Sequence, residues 1–543
     1  MKCNRLFLLM AMLPALQAMQ AQTSYEAAAL LDTDLSGTAR YVGMGGAMSA
    51  LGADMSTMST NPAGTALYRS WDAALSFGGN WVTQRTQSNL QRNRSFSSYG
   101  SFDNMGVVIA SKISNTGVLR FVNFGVNYRN VKRFGSKMSM NAELGNISQT
   151  WQMANQAWGN RAQPDLGING IVPGDFDGNV ESSFYNTNYY REDWVGWLTL
   201  LGADARLIDA SALREDLGVN NLIPSADCSY SEMLSGGIDA YDFNLSFNLM
   251  DAVYLGLTLT TYDVDRALES TYSETFYGGG YTLQNFYRTV GKGYDLGFGV
   301  IMRPFSESSF RIGVSATTPT VYNLHDYNSA IISSTVTFND FDESKKLVGQ
   351  HTESFSMDTQ SEDAFGGDCL TDYTMIAPVK VNVSLGGTIG TSLALGAEYE
   401  YMGYGSMALY DTSGNDNAGM NEHTASSFTG KHTLRLGAEK TFGSFYTRLG
   451  YNYQTGGYKN PAYKTFPINS VQTNTAYANI KSTQNFTCGL GFRGDVFYVD
   501  AALLYSAQDA DFYPFDDVEG VGLQATRLNR NLVKGMMTVG MRF

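Results

Sequence analysis

The chain has 543 residues, of which only 16% are charged, and Asp and Glu outnumber Lys and Arg by 51 to 37, for a formal charge of −14. That balance excludes nucleic acid as a partner, because phosphate binding needs a basic face. The length alone suits about two to four soluble domains, but 57 Gly, 33 Tyr and 30 Phe against 11 Pro favour many glycine-softened, aromatic-bearing strands over helices.

Residues 1–21 carry Lys2 and Arg5, then an apolar run from Leu6 to Leu16, then small and polar residues up to Ala21. This pattern is a secretory signal peptide cut after Ala21. Its removal takes the formal charge from −14 to −16. Cys3 precedes the apolar run, so it is discarded rather than lipidated. Residues 22–70 follow, rich in small side chains and carrying "TNPAG" at 60–64, where Pro62 stops any short helix before the first strand.

From Trp71 onward, alternation dominates. Tyr241, Phe243, Leu245, Phe247 and Leu249 interleave with Asp242, Asn244, Ser246 and Asn248, giving one apolar and one polar face. Strands are predicted at 71–83, 102–113, 119–132, 239–250, 253–265, 292–303, 309–318, 377–389, 391–403, 431–442, 444–456, 483–494, 496–508 and 531–543. Globular strands usually have about 5–6 residues, whereas a tilted strand crossing a bilayer needs about 9–11, and most of these fourteen are longer than ten. Tight turns at 114–118, 250–251, 304–308, 390–392, 443–444 and 494–495 alternate with long connections at 84–101, 133–238, 266–291, 319–376, 404–430, 457–482 and 509–530. No later run of 18 apolar residues exists for a transmembrane helix, and a closed barrel is the other structure that satisfies every backbone group in lipid. Short turns on one side and long loops on the other are the sidedness of outer-membrane barrels. The predicted fold class is therefore all-β, a 14-stranded antiparallel transmembrane β-barrel over 71–543 with a large extracellular insertion at 133–238.

Within that insertion Trp194, Trp197, Leu198, Leu201, Ala205 and Ile208 follow helical spacing. Their apolar face either collects apolar ligands in an external groove or packs the loop together. "NAELGNISQTWQMANQAWGN" (141–160) reads as a companion helix. Tyr399, Tyr401 and Tyr404, and Tyr451, Tyr453 and Tyr458, suit interfacial girdles. The last strand alternates Val533, Met537, Val539 and Met541 and ends at Phe543, like the assembly signal of outer-membrane proteins.

Signals for chemistry are sparse. Cys228 and Cys369 either form one disulfide or stay as thiols, and no CxxC pair or zinc spacing exists. The four histidines are scattered without an HExxH pair, and no GxSxG elbow occurs, so no catalytic residue, cofactor or metal is expected. Gly43, Gly45 and Gly46 lack the βαβ setting of a dinucleotide loop. The acidic stretches 174–179 and 514–520 lack full EF-hand spacing and read as solvated turns.

The stretch from Gly43 to Ala63, with Gly43, Gly45, Gly46, Ala47, Gly52, Ala53, Asp54, Asn61, Pro62 and Ala63, placed between signal peptide and first strand, resembles the N-terminal plug, or hatch, of the FadL family of outer-membrane transporters. The resemblance implies that 22–70 fills the lumen, that external loops capture a hydrophobic molecule, and that it leaves sideways through the wall without ATP or TonB. It implies hydrophobic small molecules, such as long-chain fatty acids, together with outer-membrane lipid, lipopolysaccharide and the outer-membrane assembly machinery, as partners. Asn61 is expected to tie the hatch down. Strand 119–132 shows Gly125 but neither Pro nor a bulge signal where the family's gate lies, and no Arg or Lys stands out for a carboxylate. A second reading is an outer-membrane scaffold in protein secretion, like the PorV-type barrels of this family. A polar-solute porin is disfavoured, because a hatch obstructs a water-filled pore.

Overall fold

The computed structural model of the chain describes residues 22–145, 147–158, 189–191, 196–208, 225–341, 347–518 and 520–543. Residues 1–21, read from the sequence as a signal peptide, lie outside the described residues. Among the described residues are nineteen strands: β1 (Asp72–Gln87), β2 (Arg92–Lys112), β3 (Leu119–Arg133), β4 (Ser136–Glu143), β5 (Ser225–Leu249), β6 (Val253–Phe276), β7 (Gly279–Met302), β8 (Arg311–Thr317), β9 (Val321–Phe341), β10 (Leu347–Asp358), β11 (Cys369–Ile376), β12 (Lys380–Ile389), β13 (Leu393–Gly403), β14 (Ala408–Asp411), β15 (Gly430–Phe442), β16 (Phe445–Thr455), β17 (Tyr477–Arg493), β18 (Phe497–Tyr513) and β19 (Thr526–Arg542). Fourteen close an antiparallel ring in the order β1-β2-β3-β5-β6-β7-β8-β12-β13-β15-β16-β17-β18-β19, with β19 paired back to β1 along its whole length. Each of the fourteen predicted strands has its counterpart in this ring. Closure leaves no free edge, and Phe543 completes it by exchanging backbone hydrogen bonds with Trp71.

The alternation sorts the wall. On β5 the apolar Tyr241, Phe243 and Leu245 are exposed on the outside, while Asp242, Asn244, Ser246 and Asn248 are buried inside. A polar interior and an apolar exterior are the inverse of a soluble protein and identify a membrane-spanning barrel. Met250 and Asp251, both at φ near +55°, make a two-residue turn whose twist matches the flanking strands.

The strands are longer than their apolar pattern. β5, β6 and β7 run for 25, 24 and 24 residues, so the expected long connections 84–101 and 266–291 shrink to 88–91 and 277–278. The cause is local: above the lipid the outward face turns polar, as at Asp263, Asp265 and the exposed Arg288–Asp265 pair, while the inward face carries buried Val264, Leu268, Tyr272 and Phe276 beside Arg266, so the apolar-out, polar-in pattern of the lipid crossing is lost. Likewise the expected connection 319–376 contains β9, β10 and β11. β9 continues the line of β8 along β7, and β11 continues β12 along β9 in the same register.

The helices are α1 (Ser24–Leu31), α2 (Ala39–Gly43), α3 (Gln149–Trp158), α4 (Trp197–Asp204) and α5 (Ala418–Ser427), with 3₁₀ turns at Met55–Ser59 and Pro62–Leu67. α1, α2 and the two 3₁₀ turns belong to residues 22–70, which lie inside the ring. Leu35, Tyr41, Val42, Met44, Met48 and Leu51 form one core cluster there with Ala502, Leu504 and Met536 of the wall. α3 and α4 lie in the insertion after β3, and their cluster reaches Tyr230, Leu283, Ile332 and Phe512 on the upper strands.

Candidate functional site

The lumen is the candidate site, and residues 22–70 set its floor. Short polar caps start each of their turns. Thr38 caps α2 by accepting from the Tyr41 N–H. Asp54 accepts from the Ser56 N–H at 3.0 Å and from the Thr38 hydroxyl. Asn61 accepts from the Ala63 N–H at 3.1 Å, with Pro62 at the first helical position. The fully buried Asn61 also donates from Nδ2 to the Val300 carbonyl of β7 at 3.4 Å.

Glycine makes this floor tight. Gly45 and Gly46 adopt φ of +63° and +81°, a region costly for other residues. A Cβ on Gly45 would lie 2.8 Å from the Tyr451 amide nitrogen and 3.0 Å from the Leu436 carbonyl oxygen. Facing positions of the wall are also glycine: Gly256 abuts Pro62, Gly299 abuts Asn61, Gly396 abuts the Ala47 carbonyl, Gly437 abuts the Met44 carbonyl and Gly450 abuts Gly45, each without room for a methyl group. Backbone therefore meets backbone around much of the ring.

Ion pairs add to the contact. Arg40 makes a bidentate pair with Glu439 of β15 at 2.9 and 3.0 Å. Glu439 also accepts from Arg448 Nε at 2.6 Å, and Arg448 Nη1 donates to Asp500 at 2.7 Å. Asp32 receives both Lys132 at 3.0 Å and Lys431 at 2.6 Å.

Above the floor three cavities adjoin. The outermost, about 250 Å³, lies between α3 and the 463–468 and 516–518 loops. The second, about 190 Å³, is lined by Tyr25, Glu26, Phe134, Glu232, Arg266 and Leu268 among others. Lys464 lines the first, Glu26 lines the second, and their 2.7 Å ion pair stands between them. The third, about 100 Å³, takes the opposite side of the α1 segment, with Leu30, Leu31 and Asp34, and reaches Thr318, Thr320, Ala377 and Pro378 of the wall.

At that point the wall is interrupted on two adjacent strands. Residues 318–320 separate β8 from β9 and 377–379 separate β11 from β12. Pro319 and Pro378 supply no N–H to the ladder. Side chains and stray bonds span the gap: Leu296 N–H donates to Thr318 Oγ1, Ala377 N–H to the Thr320 carbonyl, and Thr320 Oγ1 to Asp295. A second irregularity, in the strand 119–132 where the sequence offers no evident bulge signal, shifts the β3–β5 register between Asn130 and Lys132. The Val131 carbonyl there accepts from the Asp34 N–H. No Pro or Gly marks this bulge; contact with the lumen segment does.

Trp197, Leu198 and Leu201 are wholly buried, Trp197 donating from Nε1 to the Tyr190 carbonyl and lying tilted against the Phe365 ring at 5.4 Å. α4 is apolar all round and packs on α3 through Thr199 Oγ1 to the Met153 carbonyl. Among the described residues these three belong to the core of the insertion and line no external groove, which favours the packing alternative over the capture reading. Trp194 and the 174–179 loop lie outside the described residues. Tyr404 points into the lumen, over Lys431, and is no girdle residue. No disulfide joins Cys228 to Cys369. Asp517 accepts the N–H groups of Val521, Gly522 and Leu523, a self-satisfied turn.

The histidines stay apart. His423 of α5 sits between Ser24 Oγ (3.0 Å) and Ser427 Oγ (3.1 Å), and burial lowers its pKa to about 4. Above the lipid, Asp326 of β9 is buried against the Tyr287 hydroxyl, and burial raises its pKa to about 7. Arg266 and Asp326 fall in stretches predicted as loops, and each is a charged residue on an inward face that is otherwise partly apolar, with Val264 and Leu268 beside Arg266 and Leu324 beside Asp326.

No family model and no curated protein matches the sequence. Among solved structures, the chain is similar to a Pseudomonas aeruginosa FadL homologue (TM-score 0.45, 11% identity, 94% of this chain and 98% of that one). It is also similar to the Pseudomonas putida toluene transporter TodX (TM-score 0.44, 9% identity, 94% and 99%) and to the Ralstonia pickettii toluene transporter TbuX (TM-score 0.42, 11% identity, 94% and 99%).

Proposed function

We propose that the protein is an outer-membrane passive conduit for compounds with apolar bodies, long-chain fatty acids or similar molecules, in which residues 22–70 act as a fixed hatch and cargo leaves sideways through the wall. The observation that carries this reading is the pairing of a tightly packed floor with three separate cavities spaced between the outer loops and the wall interruption at Pro319 and Pro378. Cargo that cannot pass the floor has a short path into lipid there. Thermal opening at that point breaks few ladder bonds, because two prolines have already removed their donors. A sheltered path also spares cargo the cost of exposing apolar area to water, about 25 cal/mol per Å².

A second reading, a scaffold for secreted proteins, is favoured by the small, partly polar cavities, which form no continuous apolar tunnel. Native mass spectrometry with lipid extraction of the purified barrel separates the two. A co-purifying fatty acid or hydrocarbon supports the conduit; a ligand-free barrel holding a secreted protein sinks it.

A further inference from the structure

Arg266 is the anomaly of the second cavity. Its side chain is 94% buried by residue exposure of 6%, yet Nε and Nη1 have no hydrogen-bond partner. Its contacts are two rings, Phe134 and Tyr287, each 5.7 Å from the guanidinium carbon. The other cations lining the cavity are engaged: Lys132 with Asp32, Arg133 with Asp239 at 3.5 Å and Arg530 with Asp34 at 3.8 Å. The carboxylates are engaged too, Glu26 by Lys464 and Glu232 by the Tyr230 hydroxyl at 2.9 Å. Glu232 and Asp326 act on Arg266 through the field alone, beyond ion-pair contact. A buried guanidinium without an anion is costly, and its planar fork matches a carboxylate.

The rest of the cavity limits what can bring that carboxylate. Phe134, Leu234, Leu268, Ala476 and Phe512 supply apolar surface. A volume of about 190 Å³ compares with the roughly 150 Å³ engineered cavity that accepts benzene in another protein, and falls short of the 300–1,000 Å³ typical of larger ligands.

We propose that this cavity binds a small monocarboxylate whose apolar body is about one aromatic ring in size, with the guanidinium of Arg266 receiving the carboxylate. The inference rests on the conduit reading for its biological setting, but its test contains no transport step. The purified full-length barrel in detergent is titrated calorimetrically with benzoate, toluene, acetate and palmitate. Benzoate binds at least tenfold tighter than toluene or acetate. Arg266→Gln removes at least tenfold of the benzoate affinity and leaves toluene unchanged, while Arg266→Lys restores part of it; heat-modifiable gel mobility verifies that both variants fold. Equal affinity for benzoate and acetate, equal affinity for benzoate and toluene, or benzoate binding untouched by Arg266→Gln each overturns the proposal. Preferred binding of palmitate over benzoate also overturns it. A barrel that binds benzoate in this way yet carries no cargo contradicts the conduit reading alone.

Discussion

Gly45→Ala tests the fixed hatch at its tightest point. The residue sits at φ +63°, and a Cβ there meets the Tyr451 nitrogen at 2.8 Å, the Leu436 oxygen at 3.0 Å and the Gly450 carbonyl carbon at 3.1 Å, all backbone atoms of the wall. The left-handed conformation costs a non-glycine residue about 1–2 kcal/mol, and overpacking a rigid contact adds about 1–3 kcal/mol. Together the hatch loses about 2–5 kcal/mol of docking free energy relative to an opened state, since neither neighbour is the end of a flexible side chain. The assay is trypsin cleavage after Arg40, a bond that native packing buries and ion-pairs. When opening is fast relative to cleavage, the rate follows the open population, so even the lower figure accelerates cutting about thirtyfold. Gly535→Ala is the control, an outward glycine whose Cβ has nothing nearer than the Trp81 ring at 3.7 Å. Cleavage of Gly45→Ala at the parent rate refutes the close-contact argument.

Asn61→Ala removes both the cap of the 3₁₀ turn and the bond to Val300. It lowers hatch stability by about 1–2 kcal/mol, seen as faster proteolysis of residues 22–70. Arg448→Met breaks a wholly buried link between Glu439 and Asp500; because these keep Arg40 and Arg493, the cost stays below the about 3–5 kcal/mol of an uncompensated buried charge but exceeds that of losing the exposed Arg288–Asp265 pair, under about 1 kcal/mol. Thermal midpoints of Arg448→Met and Arg288→Ala rank the two. The folded-state pKa of Asp326, about 7, lies above its unfolded value of 3.8. The native state therefore holds a proton that the unfolded chain gives up, and the contribution of this group falls as pH rises from about 4 to about 7 and is flat above. Hydrogen exchange of β9 against pH follows that slope in the parent, and Asp326→Asn removes it.

The ring of fourteen strands is readable because lipid on one side and a polar lumen on the other force strict alternation over each crossing. Legibility stops where that contrast stops. Beyond Tyr262 the polarity of β6 inverts, with Asp263, Asp265 and Glu269 outward and Val264, Leu268 and Tyr272 inward, so the lipid-crossing pattern ends and the strand continues unseen to Phe276, carrying Arg266 inward. The helix around Trp197 is readable from its spacing, but spacing cannot tell an outward apolar stripe from a helix buried on every side, and α4 is the latter. The glycines of Gly43–Gly46 are legible as turn formers. Their wall partners, Gly396, Gly437 and Gly450, read only as soft strand positions, because the contact joins residues hundreds of positions apart. Pro319 falls just past the predicted strand 309–318, whereas Pro378 lies within the predicted strand 377–389 and its break goes unread; that the two breaks lie side by side depends on register.

The most direct measurement staples the hatch to the wall and follows uptake. A Cβ on Gly43 lies 3.3 Å from the Gly489 Cα, within disulfide reach, so Gly43→Cys with Gly489→Cys, in a Cys488→Ser background, locks the floor on oxidation. Cells producing this barrel are given radiolabelled palmitate and benzoate under oxidising and reducing conditions. A sideways exit predicts the same uptake in both; uptake that disappears on oxidation and returns with dithiothreitol means that the hatch must move aside, and contradicts the account.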